Sequence, residues 1–253
     1  MNTYLLDTSS YMHRAYHASK TRPFCLKDGT PCAGTHQFKI MVECLLRDSV
    51  GQGDRLLAAV DMHAPTFRTT LYPEYKAQRK QPDADFLAQV PGMMDVLAQH
   101  NIQTIGVPGY EADDIIGTLA VRYRFTSDVY IVSGDKDMLQ LVQPSVYVLT
   151  PHKGLYDHDR VLLEYGLPPV RVADWLALCG DTADNVPGVN GFGPETSREL
   201  VQEFGDVEVL INRASYITNK TRRKKVMDNV EVIRLCKKLV TICCNVPLAQ
   251  EAI

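Results

Sequence analysis

Several features that identify common protein classes are missing from this sequence of 253 residues. Its seven cysteines are an odd number and form no Cys-x-x-Cys pair, so a disulfide framework and structural zinc are both unexpected. No apolar run is long enough to cross a bilayer, and the first residues lack a basic n-region, so we expect neither a membrane segment nor a signal peptide. Walker A and Gly-x-Ser-x-Gly motifs are also absent, which argues against an NTPase and a serine hydrolase. These absences favour a protein of the reducing cytoplasm.

The sequence does contain short apolar strands that alternate with amphipathic helices. Strands are predicted at residues 4–6, 56–60, 102–107 and 129–132. Helical spacing of apolar residues predicts helices at residues 11–18, 35–47, 85–100, 170–179 and 195–204. This alternation predicts an α/β fold with a mainly parallel central sheet flanked by helices. Functional sites in such sheets form beyond the carboxyl ends of the strands.

Acidic residues follow these strands at the positions where such a site would form. The densest group is Glu111, Asp113 and Asp114, which comes after the turn pair Pro108-Gly109 and before an apolar helix. The helix dipole alone would favour one or two acids there, but three acids, with more at similar strand ends elsewhere, would repel one another unless cations neutralise them. We assign two ligand sets, with Asp114 near both: Asp7, Asp61, Glu111 and Asp113 for one ion, and Asp135, Asp137, Asp181 and Asp184 for a second.

An oxygen-only ligand set selects hard ions such as Mg²⁺ or Mn²⁺. Two such ions close together suit phosphodiester hydrolysis. The net charge of −3 does not exclude a nucleic-acid partner, because two divalent ions would change it to −3 + 4 = +1. The predicted chemistry is therefore metal-dependent cleavage of a phosphodiester.

Two further stretches suit nucleic acid. Residues 65–82 interleave basic and aromatic side chains, which fits a phosphate backbone and stacked bases, although a solvated loop is the alternative. Gly188, Gly191 and Gly193 stand within six residues before a helix, so their backbone can approach phosphate closely. The basic clusters at residues 222–225 and 237–238 fit either a solvated helix face or a DNA-binding surface.

In this order the motifs resemble the 5′-nuclease (flap endonuclease) family. The similarity is greatest to the 5′→3′ exonuclease domain of bacterial DNA polymerase I and its free-standing phage and bacterial relatives. It extends over nearly the whole chain, through Asp7, Val60-Asp61 and residues 65–68, 75–79, 108–114, 135–137 and 180–189.

The resemblance implies a PIN-like catalytic domain at residues 1–165, with a helical arch at about 65–95, and a helical region at 166–253 with a helix–three-turn–helix motif. It implies catalytic roles for Lys76 and Arg79 at the scissile phosphate, together with Asp113 and Asp135. The DNA-binding set that it implies is Arg14, Arg68, Tyr75, Lys76, Arg79, Lys136, Gly188, Gly191 and Gly193. Carbonyl groups of Val186, Val189 and Gly191 would hold K⁺.

The partner implied by the resemblance is DNA with a 5′ end, flap or nick, with an RNA/DNA hybrid as a further substrate. A monomer in the cytoplasm of a bacterial or phage-infected cell is expected. The sequence departs from the family at Gln37, where glycine is usual, and at Glu195, where a lysine commonly begins the hairpin helix. Two alternatives stay open: a PIN-type ribonuclease, and a catalytically weak DNA-binding relative.

Overall fold

A six-stranded sheet forms the centre of the computed structural model, which describes residues 1–62 and 64–248. The strands are β1 (Thr3–Asp7), β2 (Arg55–Ala59), β3 (Gln103–Ile105), β4 (Val129–Val132), β5 (Val146–Thr150) and β6 (Gly154–Tyr156). Their order is β3-β2-β1-β4-β5-β6, parallel throughout except for the antiparallel pair β5–β6. The predicted α/β fold with a mainly parallel sheet is confirmed. The predicted strand at residues 102–107 is shorter, and β5 and β6 were not predicted.

Helices surround this sheet and form the C-terminal part of the chain. Those before β5 are α1 (Thr8–Ser19), α2 (Ala33–Asp48), α3 (Phe67–Leu71), α4 (Ala84–Gln99) and α5 (Ala112–Tyr123). Those after β6 are α6 (His158–Tyr165), α7 (Val172–Cys179), α8 (Pro194–Phe204), α9 (Val207–Asn212), α10 (Lys220–Asp228) and α11 (Val230–Val240). Short 3₁₀ helices occupy Lys136–Leu141, Pro169–Arg171 and Ala214–Tyr216. Within the described ranges no helix has the length and hydropathy needed to cross a bilayer.

Alternate residues of the central strand β1 face two hydrophobic cores. Tyr4 and Leu6 pack with the buried side chains of α1, α2 and α4, whereas Leu5 faces the opposite core with α5. Successive side chains of a strand point to opposite faces, which explains this division. The second core also includes buried residues of α7 to α11, so both parts of the chain contribute to it. The division into residues 1–165 and 166–253 stays a prediction.

The predicted arch is smaller than the sequence suggested. Residues 84–95 belong to α4, where Phe86 and Met93 are buried against Phe38 and Val42. The apolar spacing of this segment therefore serves the core, and only residues 65–83 could form an arch. That shorter segment consists of α3, a series of turns and an exposed stretch without regular structure.

Candidate active site

An open pocket of about 730 Å³ lies beyond the carboxyl ends of β1, β2 and β4. Eight of the nine predicted metal ligands line it: Asp7, Asp61, Glu111, Asp113, Asp135, Asp137, Asp181 and Asp184. Parallel strands bring these residues together because their carboxyl ends meet at one edge of the sheet. Asp181 and Asp184 come from the loop after α7, and they complete the wall opposite the strands.

Asp7 is fixed in the pocket by two hydrogen bonds. It ends β1 and caps α1, where its Oδ1 accepts from the Ser10 amide at 3.0 Å. Its Oδ2 accepts from the buried Ser133 hydroxyl at 2.6 Å, although Ser133 lies 126 residues away in sequence. The same Ser133 hydroxyl oxygen accepts from the Asp135 amide at 3.0 Å. One serine thus links the acids at the ends of β1 and β4.

Asp61, which follows β2, is hydrogen-bonded to the first turns of both α1 and α5. Its Oδ1 accepts from the Ala112 amide at 2.8 Å, and its Oδ2 accepts from the Ser9 hydroxyl at 2.6 Å. Ala112 is the first residue of α5, and Ser9 belongs to the first turn of α1. Glu111 and Asp113, on either side of Ala112, are therefore held in the same pocket as Asp7 and Asp61.

Burial and neighbouring negative charge raise the pKa of several of these carboxyls. Burial raises the pKa of Asp7 to about 6, and the hydrogen bonds from Ser133 and Ser10 offset it only in part. Burial, together with the charges of Asp7 and Asp135, raises the pKa of Asp113 well above its ordinary value. Burial and the charge of Asp135 raise the pKa of Asp137 to about 7. A positive charge beside such carboxyls lowers their pKa and so favours the ionised form.

Four basic side chains line the same pocket, and three of them pair with its carboxylates. Lys76 lies 3.0 Å from Glu111 and 3.6 Å from Asp184 (Nζ to carboxylate oxygen), and Arg79 also pairs with Asp184. On another wall Lys136 lies 2.9 Å from Asp181. All three were predicted to contact DNA, and the structure brings all of them to the pocket rim.

Their ion pairs also shift pKa values. Burial lowers the pKa of Lys76, but the charges of Glu111 and Asp184 more than offset this and raise it. Burial raises the pKa of Asp181, yet its pairing with Lys136 lowers it overall.

The turn that carries Lys76 and Arg79 is fastened to the loop that carries Asp181 and Asp184. Lys76 has a left-handed backbone with φ 56°, and its amide donates to the Asp184 carbonyl at 2.9 Å. The Asn185 side chain donates to the Glu74 carbonyl at 2.7 Å. Such strained backbone conformations persist only where surrounding bonds fix them. The basic turn is thereby held at one position over the carboxylates.

A divalent ion fits this site by donor chemistry. The lining offers many carboxylate oxygens and no cysteine, which is the ligand type of Mg²⁺ and Mn²⁺. Among residues 1–62 and 64–248, however, no group of three or more His, Cys, Asp or Glu side chains has a geometry that could hold a metal ion. Glu111, Asp181 and Asp184 instead turn toward Lys76, Lys136 and Arg79. The assignment of individual ligands to two ions stays a prediction.

Asp114, predicted to lie near both ions, is placed elsewhere. Its side chain is fully buried, outside the pocket, and Arg68 binds both of its oxygens at 2.7 and 2.8 Å. The amides of Glu111 and Cys243 donate to the same carboxylate at 3.1 and 2.8 Å. With four donors this carboxylate has no lone pair left for a metal. The interpretation of Asp114 as a ligand is corrected to a structural role.

Two predicted DNA-binding residues are also buried. Arg68 is 2% exposed, and besides Asp114 it donates to the carbonyls of Leu239 and Thr241. Tyr75 is 5% exposed, and its hydroxyl lies 3.2 Å from Glu111 and 3.0 Å from Asp184. Neither side chain can reach a ligand in the pocket as it stands. Arg68 joins the C-terminal segment to α5, and Tyr75 positions two carboxylates.

Arg14, predicted to bind DNA, lines the pocket, and its guanidinium contacts the ring of His152. Residues that sequence reasoning did not select also line the pocket: Ser9, Ser10, His13, Gly134, Thr182 and Ala183. His13 stacks on Phe86 with ring centroids 4.3 Å apart, and burial lowers its pKa. The presence of Ser9, Ser10 and His13 in the pocket could have been expected, because α1 begins directly after Asp7.

The glycine hairpin, residues 186–193, follows the Asp184 loop and leads into α8. Gly188 and Gly191 have φ values of 61° and 78°, which only glycine adopts without strain. Gly193 precedes α8 as its N-cap. Glu195, at the start of α8, pairs with Arg198 at 3.0 Å, which reduces the negative charge facing any phosphate there.

Comparison with known proteins gives a consistent result. Two family models match: the 5′-3′ exonuclease, N-terminal resolvase-like domain over residues 2–166, and the 5′-3′ exonuclease, C-terminal SAM fold over residues 167–252. DNA polymerase I of Rhizobium leguminosarum is 38% identical over 256 residues, which cover 97% of this chain and 25% of the relative. The 5′-3′ exonuclease of Bacillus subtilis (strain 168) is 32% identical over 252 residues, covering 97% and 84%.

A solved structure has the same fold. It is the bacteriophage T5 flap endonuclease in a pseudo-enzyme–product complex with DNA and metal ions, with a TM-score of 0.76 and 19% identity. The match covers 96% of this chain and 90% of that one. The chain thus spans about a quarter of the length of the DNA polymerase I relative and most of the shorter proteins.

Proposed function

The chain belongs to the 5′-3′ exonuclease family, and from that premise we propose that it is a structure-specific 5′-nuclease. Its substrate is DNA with a 5′ end, flap or nick, with RNA primers on DNA as a further substrate. The observation that carries the proposal is the convergence of eight carboxylates and four basic side chains, from separate segments, on one pocket. A DNA substrate is consistent with activity in the cytoplasm of a bacterial or phage-infected cell.

The proposed cofactors are two Mg²⁺ or Mn²⁺ ions. Asp7, Asp61, Glu111 and Asp113 would hold one, and Asp135, Asp137, Asp181 and Asp184 the other. The chemistry that such ions supply when bound is activation of water and stabilisation of charge on the phosphate and the leaving oxygen. The metal ions present in the bacteriophage T5 complex support dependence on metal ions, and the two ligand sets rest on the residues that line the pocket.

The protein itself orients the scissile phosphate. Lys76 and Arg79 are held over the carboxylates by the turn that is fastened to the Asp184 loop. Two cations fixed in this way stabilise charge on the phosphate without reorganising during the reaction. Arg14 and Lys136 lie on other walls of the pocket, where they can contact neighbouring phosphates. Contacts of this kind position the backbone without reading sequence.

Product mapping on labelled DNA tests this function. Flap, nicked and blunt substrates with a 5′ label are incubated with Mg²⁺, with Mn²⁺ and with EDTA, and the products are sized. We expect short 5′ products from flap and nicked DNA with either metal and none with EDTA. Substrates that stay intact while circular dichroism shows a folded protein would refute the proposal. Preferential cleavage of single-stranded RNA would instead support a PIN-type ribonuclease.

Replacement of Asp113 by asparagine separates catalysis from binding. Asp113→Asn keeps the side-chain shape but removes a charge from the centre of the acid group. Because even indirect partners of a metal ligand are worth roughly 10- to 100-fold, we expect cleavage to fall more than about 100-fold. The affinity for flap DNA should remain measurable.

The matched control is Asp159→Asn, because the Asp159 side chain is 95% exposed in α6 and does not line the pocket. Its cleavage rate should equal that of the unmodified protein. Unchanged cleavage by Asp113→Asn would exclude Asp113 from the catalytic group. Tight flap binding by the unmodified protein without metal-stimulated cleavage would indicate a DNA-binding relative that has lost turnover.

A further inference from the structure

A lysine from α10 places its ammonium group in the glycine hairpin. Lys225 Nζ donates to the carbonyl of Asn190 at 2.7 Å and lies 5.9 Å from the centre of the Phe192 ring. Lys225 is 32 residues or more from the hairpin in sequence, so this contact exists only in the folded chain. The ammonium therefore gives a fixed positive charge to a loop made mostly of glycine and apolar residues.

The hairpin is shaped to accept this group. A Cβ atom at Gly191 would collide with Lys225 Nζ, so the absence of a side chain there leaves the space that the ammonium fills. Gly191 also has a φ of 78°, which disfavours other residues at that position. Two separate properties of Gly191 thus serve the hairpin, namely its backbone conformation and its open face.

Lys225 is also positioned by its own helix. Asn219 caps α10 by accepting from the amides of Thr221 and Arg222, and Val226 beside Lys225 is fully buried. Arg222 and Lys224 on the same helix pair with the carboxylates of Glu199 and Asp228 at 2.6 and 2.7 Å. Lys225 instead directs its charge to a main-chain carbonyl of the hairpin.

The expected K⁺ ion fits this arrangement poorly. Of the three carbonyls predicted to hold it, that of Val186 already accepts from the Asp181 amide at 3.0 Å, and that of Val189 from the Phe192 amide at 2.8 Å, which leaves one lone pair on each. The third, that of Gly191, follows directly after the Asn190 carbonyl, to which the Lys225 ammonium donates at 2.7 Å. A second cation beside an ammonium would be repelled by it.

We propose that Lys225 supplies from within the chain the positive charge of the glycine hairpin, in place of a bound monovalent cation. The hairpin then binds a backbone phosphate of duplex DNA through its amides and this ammonium. The DNA-binding part of this inference rests on the proposed nuclease function, whereas the position of the ammonium does not.

Exchange of the monovalent cation tests the inference. The affinity for nicked duplex DNA is measured in KCl and in tetramethylammonium chloride at equal ionic strength, because the organic cation is too large to bind among backbone carbonyls. We expect the unmodified protein to bind equally, within twofold, in both salts. In the tetramethylammonium salt, Lys225→Met, which keeps the aliphatic part of the side chain, should bind about tenfold more weakly than the unmodified protein, as expected for loss of a hydrogen bond to a charged group.

Lys39→Met is the control, because Lys39 lies on α2, where it pairs with Glu43, and it carries the same change of charge. Its affinity should stay within twofold of the unmodified protein. Affinity of the unmodified protein that is several-fold higher in KCl would overturn the inference. So would equal affinities of the Lys225 and Lys39 variants.

A second readout does not depend on DNA. The melting temperature of the unmodified protein should be the same in both salts, whereas that of Lys225→Met should be lower and should recover in part in KCl, because K⁺ can then enter the hairpin. A K⁺-specific rise for the unmodified protein would overturn the inference. If the unmodified protein bound no nicked DNA, the proposed function would fail, and the melting temperatures alone would decide the role of Lys225.

Discussion

At the scale of single residues, burial decides what a charged side chain does. Arg68 and Lys76 both belong to the basic and aromatic stretch at residues 65–82, yet only Lys76 reaches the pocket. Arg68 is 2% exposed and binds Asp114 through two hydrogen bonds. A buried guanidinium with this geometry is a structural partner, since its hydrogen bonds are already used.

Replacement of Arg68 by methionine should therefore lower stability before it alters DNA contacts. Arg68→Met leaves the Asp114 charge buried without its partner, which typically costs about 3–5 kcal/mol of the free energy of unfolding. Urea denaturation measures this loss. Arg22→Met is the control, since Arg22 is exposed, and it should change the free energy by less than about 0.5 kcal/mol. Full stability of Arg68→Met together with weakened DNA binding would support the original DNA-binding prediction.

At the scale of elements, α5 connects the acid group to the C-terminal segment. The Thr118 hydroxyl donates to the Asp114 carbonyl, and its oxygen accepts from the Val246 amide at 3.0 Å. Gly117, the residue before Thr118, lets the C-terminal segment approach the helix closely. A Cβ at Gly117 would lie 2.7 Å from Ile242 Cγ2 and 3.1 Å from Cys244 Sγ. The helix that presents Glu111 and Asp113 is thus held from behind by residues near the end of the chain.

A larger side chain at Gly117 should disturb this contact. Overpacking a core costs about 1–3 kcal/mol, and the close contacts here place Gly117→Leu at the upper end. Removal of a helical glycine returns about 1 kcal/mol, so the net loss of unfolding free energy should be about 2 kcal/mol. Thermal or urea unfolding measures it.

Ala98→Leu serves as the control, because Ala98 is exposed in α4 and should tolerate leucine. If Gly117→Leu were as stable as this control, the close packing between α5 and the C-terminal segment would not contribute to stability.

At the scale of the whole molecule, charge is distributed so that the pocket is acidic and its rim basic. The net charge is −3, but eight carboxylates stand in one pocket with Lys76, Arg79 and Lys136 beside them. A phosphate in this pocket faces these charges with little screening, because the Debye length is about 8–10 Å at ordinary ionic strength. DNA binding at this site therefore depends on cations that offset the carboxylates.

Divalent metal should consequently strengthen DNA binding apart from its role in cleavage. With Ca²⁺, which also takes oxygen ligands, the affinity for nicked DNA should be at least about tenfold higher than in EDTA at equal ionic strength. Fluorescence anisotropy of labelled DNA measures the difference. Asp113→Asn provides the comparison, since one carboxylate fewer should reduce the effect of Ca²⁺. Equal affinity in Ca²⁺ and EDTA would show that the carboxylates do not face the bound phosphate.

The sequence alone determined the elements and the edge at which the site forms. The apolar runs that end at Asp7 and Asp61 and before Asp135 predict parallel strands, because local periodicity and burial are properties of contiguous residues. The acids at those strand ends therefore predict a cation site. The helical spacing of residues 85–100 likewise predicted α4, which forms Ala84–Gln99.

Only the tertiary structure decided which charges face the pocket and which face each other. Asp113 and Asp114 are adjacent, yet one lines the pocket and the other is enclosed by Arg68 and the Cys243 amide. Ser133 reaches Asp7 across 126 residues, and Lys225 reaches Asn190 across 35. Such pairings depend on how distant elements pack, and local spacing carries no information about that packing.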